Sequence, residues 1–118
     1  MGTASIKLNG DIQAGSFTSA SDGRLKTDIA EIANGLEIVE HLRPVEYNWV
    51  DGRATINPGH KELGFIAQEL EAVCPNVVKT EASDELADMK RVAYDRIVAV
   101  LVAAVKELKA EVDALKNK

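Results

Sequence analysis

A hydroxyl and an amine five residues apart, on Ser21 and Lys26, are the side chains in this sequence best suited to covalent chemistry. A serine becomes a nucleophile when a neighbouring base takes its proton, and a lysine amine can be that base. Near neutral pH a lysine acts this way only where burial or a nearby positive charge lowers its pKa from about 10.4. Arg24 lies between the two residues and is a candidate for that charge. The pair therefore predicts either a Ser-Lys dyad or an ordinary polar loop.

The spacing of the two side chains constrains the backbone between them. In a continuous α-helix, five residues correspond to about 140° of rotation, so Ser21 and Lys26 would face apart. Asp22-Gly23 is a turn dipeptide that can bend the chain. A dyad therefore requires a non-helical connection at Asp22-Gly23 or a lysine supplied by a neighbouring subunit. The sequence leaves both arrangements open.

Residues 1–20, on the amino-terminal side of the pair, have the pattern of short β-structure. Ile6 and Leu8 alternate with polar residues, and Asn9-Gly10 predicts a two-residue turn before Ile12. A lone hairpin is at best marginally stable in water. We expect this segment to be the end of a β-stalk in a longer chain, in preference to a hairpin packed on the domain that follows it.

The middle of the chain alternates short helices with short strands. Two helices are predicted, over residues 35–42 and 67–73. Four strands are predicted, over residues 45–50, 53–56, 63–66 and 77–79. The second of these strands is expected to pair back on the first. Residues 81–88 are acidic and predict a solvated loop, and residues 89–92 lead into the last element.

Capping and breaking residues set the ends of the predicted helices. Asn34 followed by Glu37 resembles a capping pair at the start of the first helix, and Pro44 ends it. Pro75 ends the second helix. Cys74 lies beside Val73 in an apolar context, so we expect a buried structural thiol in place of a reactive one.

The last 25 residues, 94–118, carry a heptad repeat. Their apolar positions are spaced by alternating steps of four and three, at Tyr94, Val98, Leu101, Val105, Leu108, Val112 and Leu115. Such a seam needs a partner helix, and Glu111 and Lys116 flank it where charges can pair between parallel helices. Three further residues widen the apolar face, namely Ile97, Val102 and Ala104. They suit either a third helix or packing on the chain's own globular part, so the repeat leaves dimer and trimer open.

Composition excludes several classes of function. The 118 residues carry a formal net charge of −5, which argues against nucleic acid or an anionic membrane surface as a partner. No apolar run approaches the roughly 18 residues of a membrane span, and no signal-peptide pattern is present. A single cysteine rules out an internal disulfide framework. No metal-ligand cluster or phosphate-binding loop is recognisable, so we expect no metal and no cofactor.

Four motifs occur in an order that is characteristic of one family. They are Ser21-Asp22-Gly23-Arg24-Leu25-Lys26, Leu42-Arg43-Pro44-Val45-Glu46-Tyr47-Asn48-Trp49, Leu63-Gly64-Phe65-Ile66-Ala67-Gln68-Glu69 and Val92-Ala93-Tyr94-Asp95-Arg96-Ile97. Together they closely resemble the intramolecular chaperone domain of endosialidase tailspikes. This self-cleaving peptidase family also forms the carboxyl-terminal end of many phage tail fibres and occurs in myelin regulatory factor. The resemblance extends from about Thr18 to the end of the chain.

The resemblance implies a homotrimer that assists the folding of the fibre in front of it and then cuts itself off. Carried over by position, the scissile bond is Ala20–Ser21, with Ser21 as nucleophile and Lys26 as general base. Small Ala20 leaves the attacked carbonyl accessible. Asp22 and Arg24 are candidates for supporting roles. His60 is a weaker candidate for a histidine that matters in some relatives, because it also fits an exposed loop residue.

The resulting prediction is an α+β domain over residues 21–118, with a coiled-coil helix over 94–118 and a stalk remnant over 1–20. It would form a homotrimer joined to the upstream stalk of the same chain. We expect assembly in the host cytoplasm, the mature fibre on the virion tail, and release of the chaperone after cleavage. The alternative is a purely structural trimerisation cap that is never cut. The seam and the strand motifs suit both equally, and only Ser21, Lys26 and Ala20 favour cleavage.

Overall fold

The computed structural model of the protein describes residues 4–8, 10–53 and 55–118. Their regular elements, in chain order, are a 3₁₀ turn (Gly23–Leu25), α1 (Gly35–Glu40), β1 (Val45–Tyr47), β2 (Glu62–Gly64), α2 (Ala67–Val73), a second 3₁₀ turn (Pro75–Val77), β3 (Val78–Glu81), β4 (Met89–Val92) and α3 (Tyr94–Lys116). Short paired strands together with helices make an α+β protein, as predicted. Contacts group the described residues into two compact units.

The larger unit, Ala30–Val45 with Gly64–Lys118, contains the apolar core. Five buried side chains form that core: Leu70, Cys74, Val77, Ile97 and Val100. They come from α2, the turn that follows it and the first half of α3, and α1 adds half-buried side chains such as Ile38 and Val39. The expectation of a buried, unpaired Cys74 is confirmed.

Helix α3 confirms the predicted terminal helix and separates its apolar residues onto two faces. Ile97, Val100 and Ala104 are buried within the larger unit. All seven residues of the predicted seam are exposed instead, from 41% at Val112 to 65% at Leu115. Of the three residues predicted to widen the apolar face, Ile97 and Ala104 therefore pack on their own chain, whereas Val102 is exposed.

The predicted capping pair at the start of α1 is wrong. Asn34 has a left-handed backbone, with φ of 61°, and its side chain makes no capping hydrogen bond. The cap comes from α3, where the two carboxylate oxygens of Glu107 accept the N–H groups of Gly35 and Leu36 at 3.1 and 2.8 Å. A negative group at a helix N-terminus is favourable, and here it also ties α1 to α3.

Strands β3 and β4 form an antiparallel pair, with Val78 opposite Val92 and Glu81 opposite Met89. The first strand was predicted, whereas Met89–Val92 was expected only to lead into the last helix. Lys90 in β4 is half-buried, and its Nζ lies 2.9 Å from both Thr80 Oγ1 and Glu71 Oε1. These bonds connect the pair of strands with α2.

The smaller unit contains the described residues up to Ile29 and those of Glu46–Leu63. Strands β1 and β2 pair, but β1 stops at Tyr47, and no strand forms at Arg53, Thr55 or Ile56. The strand predicted over 63–66 begins and ends earlier, at Glu62–Gly64.

The amino-terminal hairpin is not formed in the part that the structure describes. Residues 4–8 and 10–20 contain no strand, and the predicted turn residue Asn9 lies outside the described residues. Ile6, Leu8, Ile12 and Phe17 are all exposed. Because the apolar side chains of this segment are not buried by the chain itself, nothing compensates the entropy of ordering it as a hairpin. The boundary predicted at Ser21 stays a prediction.

Replacement of Gly35 by alanine should destabilise the larger unit. An added Cβ would lie 2.6 Å from Ala103 Cβ and 2.8 Å from the Ala104 backbone nitrogen, so α1 and α3 would have to separate. We expect a loss of roughly 1–3 kcal/mol, measured by thermal unfolding at fixed protein concentration. Gly15→Ala is the matched control, because nothing lies within 4 Å of its added Cβ. Equal midpoints for the two variants would contradict the close approach of the helices.

Candidate functional site

The structure brings Ser21 and Lys26 together within one chain. Lys26 Nζ donates a hydrogen bond to Ser21 Oγ across 2.6 Å. The connection between them is the 3₁₀ turn Gly23–Leu25, with extended backbone at Asp22 and Lys26 on either side. Of the two arrangements left open by the sequence, the bent connection at Asp22-Gly23 is the one observed. For the lysine to act as a base, the same contact must run in the other direction, from the hydroxyl to a neutral amine.

Asp22 organises the turn between the two candidate groups. Its Oδ1 accepts the Arg24 backbone N–H at 2.9 Å and the Arg24 Nε at 3.1 Å, and its Oδ2 accepts Nη2 at 2.8 Å. Backbone bonds from Leu25 N to Asp22 O and from Lys26 N to Gly23 O close the turn. Asp22 therefore caps the turn.

The charges of Asp22 and Arg24 compensate each other. Hydrogen bonds from the Arg24 side chain and backbone lower the pKa of Asp22 below 3.8, and the Asp22 carboxylate raises the pKa of Arg24. The guanidinium that was a candidate positive neighbour for Lys26 is thus paired with a carboxylate. Both side chains are accessible to water, at 90% for Arg24 and 45% for Asp22.

The bond predicted to be cut is accessible as well. Ala20 and Ser21 lie in an irregular segment, and both residues are exposed. Lys26 is also exposed. The described contacts therefore assemble the groups without enclosing them.

The structure does not bring His60 into contact with the pair. His60 is exposed in a loop, where its backbone N–H donates to Asn57 O at 3.0 Å. It lines an open cavity of about 490 Å³ together with Asn48, Trp49 and Glu62, and neither Ser21 nor Lys26 is among the described lining residues. A supporting role for His60 stays a prediction.

The first residue of the predicted seam, Tyr94, also has a partner within its own chain. Its hydroxyl accepts the Phe65 backbone N–H at 3.1 Å, and the two rings stack with centroids 6.1 Å apart. The seam that is fully available to another helix therefore begins nearer Val98. Heptad spacing grouped Tyr94 with the other six residues of the seam. Spacing alone cannot reveal a hydrogen bond to a residue 29 positions away.

The pairing of Arg43 with Glu69 was not predicted from the sequence, although both residues belong to the recognised motifs. Arg43 Nε and Nη2 donate to the two Glu69 carboxylate oxygens at 2.9 and 2.6 Å. The bonds from Arg43 lower the pKa of Glu69. The fork joins the residue before Pro44 to helix α2, so it supports the fold at some distance in sequence from Ser21. The opposite charges of these two motif residues were the signal in the sequence that could have predicted the pair.

The described residues, 4–8, 10–53 and 55–118, contain neither a helix suited to a membrane nor a group of metal ligands. No helix among them has the length and apolar content needed to cross a membrane. Within the same ranges, no three histidine, cysteine, aspartate or glutamate side chains are grouped as a metal ion would require.

The Asp22 cap should be lost only in acid. Because the folded-state pKa of Asp22 is depressed, its bonds to Arg24 are fully present above the ordinary value of 3.8 and are lost as pH falls through the lowered pKa. The Arg24 amide proton shift, followed by NMR from about pH 5 downward in a Ser21→Ala chain, should titrate below 3.8. A midpoint at or above that of a blocked aspartate peptide would contradict the pairing.

Comparison with known proteins agrees with the four motifs. Residues 21–79, half of the chain, match the peptidase family described as chaperone of endosialidase. The long tail fiber protein Gp37 of Enterobacteria phage M1 is 34% identical over 98 residues, which cover 82% of this chain and 39% of that protein. Its counterpart in Enterobacteria phage T2 is 34% identical over 111 residues, covering 92% of this chain and 8% of that protein.

A relative outside phages has a similar level of identity. Myelin regulatory factor homolog 1 of Caenorhabditis elegans is 34% identical over 104 residues, covering 82% of this chain and 11% of that protein. This chain thus spans less than half of each of these relatives, from 39% down to 8%. The resemblance drawn from the motifs is confirmed, and the chain belongs to the chaperone-of-endosialidase family of self-cleaving peptidases.

Proposed function

We propose that this chain is the carboxyl-terminal intramolecular chaperone of a phage tail fibre or tailspike. It forms a homotrimer through α3, aligns the stalk in front of it, and then releases itself by cutting the Ala20–Ser21 bond. The family match and the tail-fibre relatives support the chaperone role. The observation that carries the cleavage is the 2.6 Å contact between Ser21 Oγ and Lys26 Nζ, directly after an exposed alanine residue.

The position of the hydroxyl determines how the bond would break. Ser21 Oγ and the Ala20 carbonyl carbon are separated by three atoms of the chain, so attack closes a five-membered ring. Lys26, as the neutral amine, takes the Oγ proton while the new C–O bond forms. The ring then opens by breaking the C–N bond, and the lysine returns its proton to the Ser21 nitrogen. The product is an Ala20 ester on Ser21 Oγ and a free Ser21 amine.

Water completes the reaction. Its oxygen adds to the ester carbon, the C–O bond to Ser21 breaks, and Oγ recovers a proton. The net change is one peptide bond and one water converted to an Ala20 carboxylate and a Ser21 ammonium. Because Ser21 is then an amino-terminus with no carbonyl before it, each chain can react only once.

The exposed seam of α3 supports assembly. Six leucine and valine side chains in heptad spacing, from Val98 to Leu115, point away from the chain's own core and are 41–65% exposed. An apolar stripe of this length favours burial against copies of itself. Ile97, Val100 and Ala104, in the first half of α3, are buried within the larger unit, whereas the stripe is free to contact a partner.

The same arrangement suits a role at the end of a fibre. The partners would be two further copies and the upstream stalk, which the tail-fibre relatives suggest. Assembly would take place in the host cytoplasm, with the cut fibre on the virion tail and the chaperone released. Release need not unfold the stalk, because a trimer that has lost its nucleus is trapped kinetically.

Freshly assembled protein should separate into fragments 1–20 and 21–118, detected by mass spectrometry. Ser21→Ala should abolish the cut, since no nucleophile remains, and Lys26→Ala should slow it by about 10²–10⁴-fold. Lys61→Ala, which removes an exposed lysine from the same unit, is the matched control and should cut at the wild-type rate. Hydroxylamine should convert part of fragment 1–20 to the Ala20 hydroxamate, because it captures an ester.

A wild-type chain that assembles and nevertheless stays at full length would rule out cleavage and leave the non-cleaving trimerisation cap. A cut at another bond would remove Ser21 from the role of nucleophile. Cleavage without any hydroxamate would exclude a long-lived ester and favour direct attack by water.

Sedimentation of the uncut Ser21→Ala chain should return a trimer at micromolar concentration. Adding Leu108→Asp should give monomers, because each protomer loses roughly 1–2 kcal/mol of apolar burial and must enclose a charge. Ala114→Asp puts the same charge on an exposed residue outside the seam and should leave the trimer intact. A monomeric parent chain would contradict the coiled coil, and a dimer would contradict the stoichiometry.

A further inference from the structure

The 3₁₀ turn Gly23–Leu25 has no packing to hold it. None of its residues is buried, and Leu25 is 81% exposed. A single turn also fixes several backbone angles for very few hydrogen bonds, so isolated turns of this kind are unstable. Yet the contact between Ser21 and Lys26 exists only because this turn reverses the chain between them. Something local must therefore stabilise it.

Asp22 is the side chain in position to do so. Three of the hydrogen bonds around the turn end on its carboxylate, all of them from Arg24. One of the three satisfies a backbone N–H at the start of the turn, which is the role of an N-cap residue. The other two use the planar fork of the guanidinium and fix the orientation of the carboxylate. Capping and orientation thus come from one residue adjacent to Ser21.

We propose that Asp22, with Arg24 as its clamp, is a positioning residue for self-cleavage, which holds the turn so that Lys26 Nζ meets Ser21 Oγ. The inference rests on the proposed function, since it assigns Asp22 a part in the same reaction. Asp22 acts through the backbone and not on the reacting atoms. The cap contributes more than the ion pair, because exposed ion pairs are screened by water and contribute little.

This division of roles predicts an order among four variants. Asp22→Ala removes both cap and pair, and should slow cleavage about tenfold, the usual scale for loss of an N-cap. Asp22→Ser keeps an oxygen that caps without charge, and should recover most of the rate. Arg24→Gln keeps the cap and loses the fork, and should slow cleavage by about threefold at most. Asp11→Ala removes another exposed carboxylate and serves as the control.

A second measurement separates position from chemistry. In the uncut Ser21→Ala background, NMR should show the Arg24 amide proton exchanging faster after Asp22→Ala and near the parent rate after Asp22→Ser. The serine variant is the decisive one. If it cuts as slowly as Asp22→Ala, the carboxylate charge is what matters and the positioning role is overturned.

Three other outcomes would also decide the matter. Wild-type cutting with an unaffected Asp22→Ala overturns the role of Asp22 and leaves the proposed function intact. Unchanged Arg24 amide exchange after Asp22→Ala overturns the hold on the turn. A wild-type chain that is never cut overturns both the proposed function and this inference, and the fragment masses distinguish that case from the first.

Discussion

Helix α3 carries two apolar faces, and its own chain can bury only one of them. Ile97, Val100 and Ala104 enter the larger unit, while the seam from Val98 to Leu115 remains in solvent. The contacts on the buried side also fix the rotation of the helix about its axis. Gly35 allows the α1 backbone to lie against Ala103, and Glu107 bonds the first N–H groups of α1. The seam is thus presented in one orientation, which would lower the entropy lost on assembly of the proposed trimer.

The segment that contains Ser21 and Lys26 is ordered by local hydrogen bonds and not by burial. No burial stabilises Gly23–Leu25, and its order comes from hydrogen bonds within five consecutive residues, 22–26. Local bonding of this kind does not require the rest of the fold to be in place. It does leave both reacting groups in water, where solvent competes for the hydroxyl and the amine. In the proposed trimer, exclusion of water would be the contribution of assembly to a pair that the chain has already brought together.

Sequence periodicity predicted the elements whose stability comes from their own residues. The repeat in α3 was sufficient for the helix, and the apolar surroundings of Cys74 were sufficient for its burial. The failures involve partners distant in sequence. Asn34 was predicted as the cap because it directly precedes α1. The observed cap, Glu107, lies 71 residues beyond Leu36, so local sequence does not reveal it. Strand β4 was missed because Lys90 and Arg91 break its apolar pattern, and pairing with β3 is what makes it a strand.

The candidate site shows the same division between local and distant information. A Ser-Lys pair was predicted from residue types, and rotation about a helix left either a bend at Asp22-Gly23 or a lysine from a neighbouring subunit. The sequence could not choose between these two arrangements, because residue types and spacing do not show whether Lys26 reaches Ser21 of its own chain. In the single chain, Asp22 Oδ1 accepts the Arg24 backbone N–H and so caps the turn that brings Lys26 to Ser21.

The order of events in the proposed function follows from the kinds of contact involved. A β-stalk depends on pairing between distant or separate strands, so it nucleates slowly and its open edges aggregate. A helical seam depends on neighbours in sequence and forms quickly. Once three helices meet, the stalk segments attached to them are held at an effective concentration far above that in solution. Cleavage at Ser21 is useful only after that alignment, when the stalk no longer needs its nucleus. The contact between Ser21 and Lys26 forms in the single chain but stays open to water. That is compatible with the proposed order, because cutting would then become efficient only in the trimer.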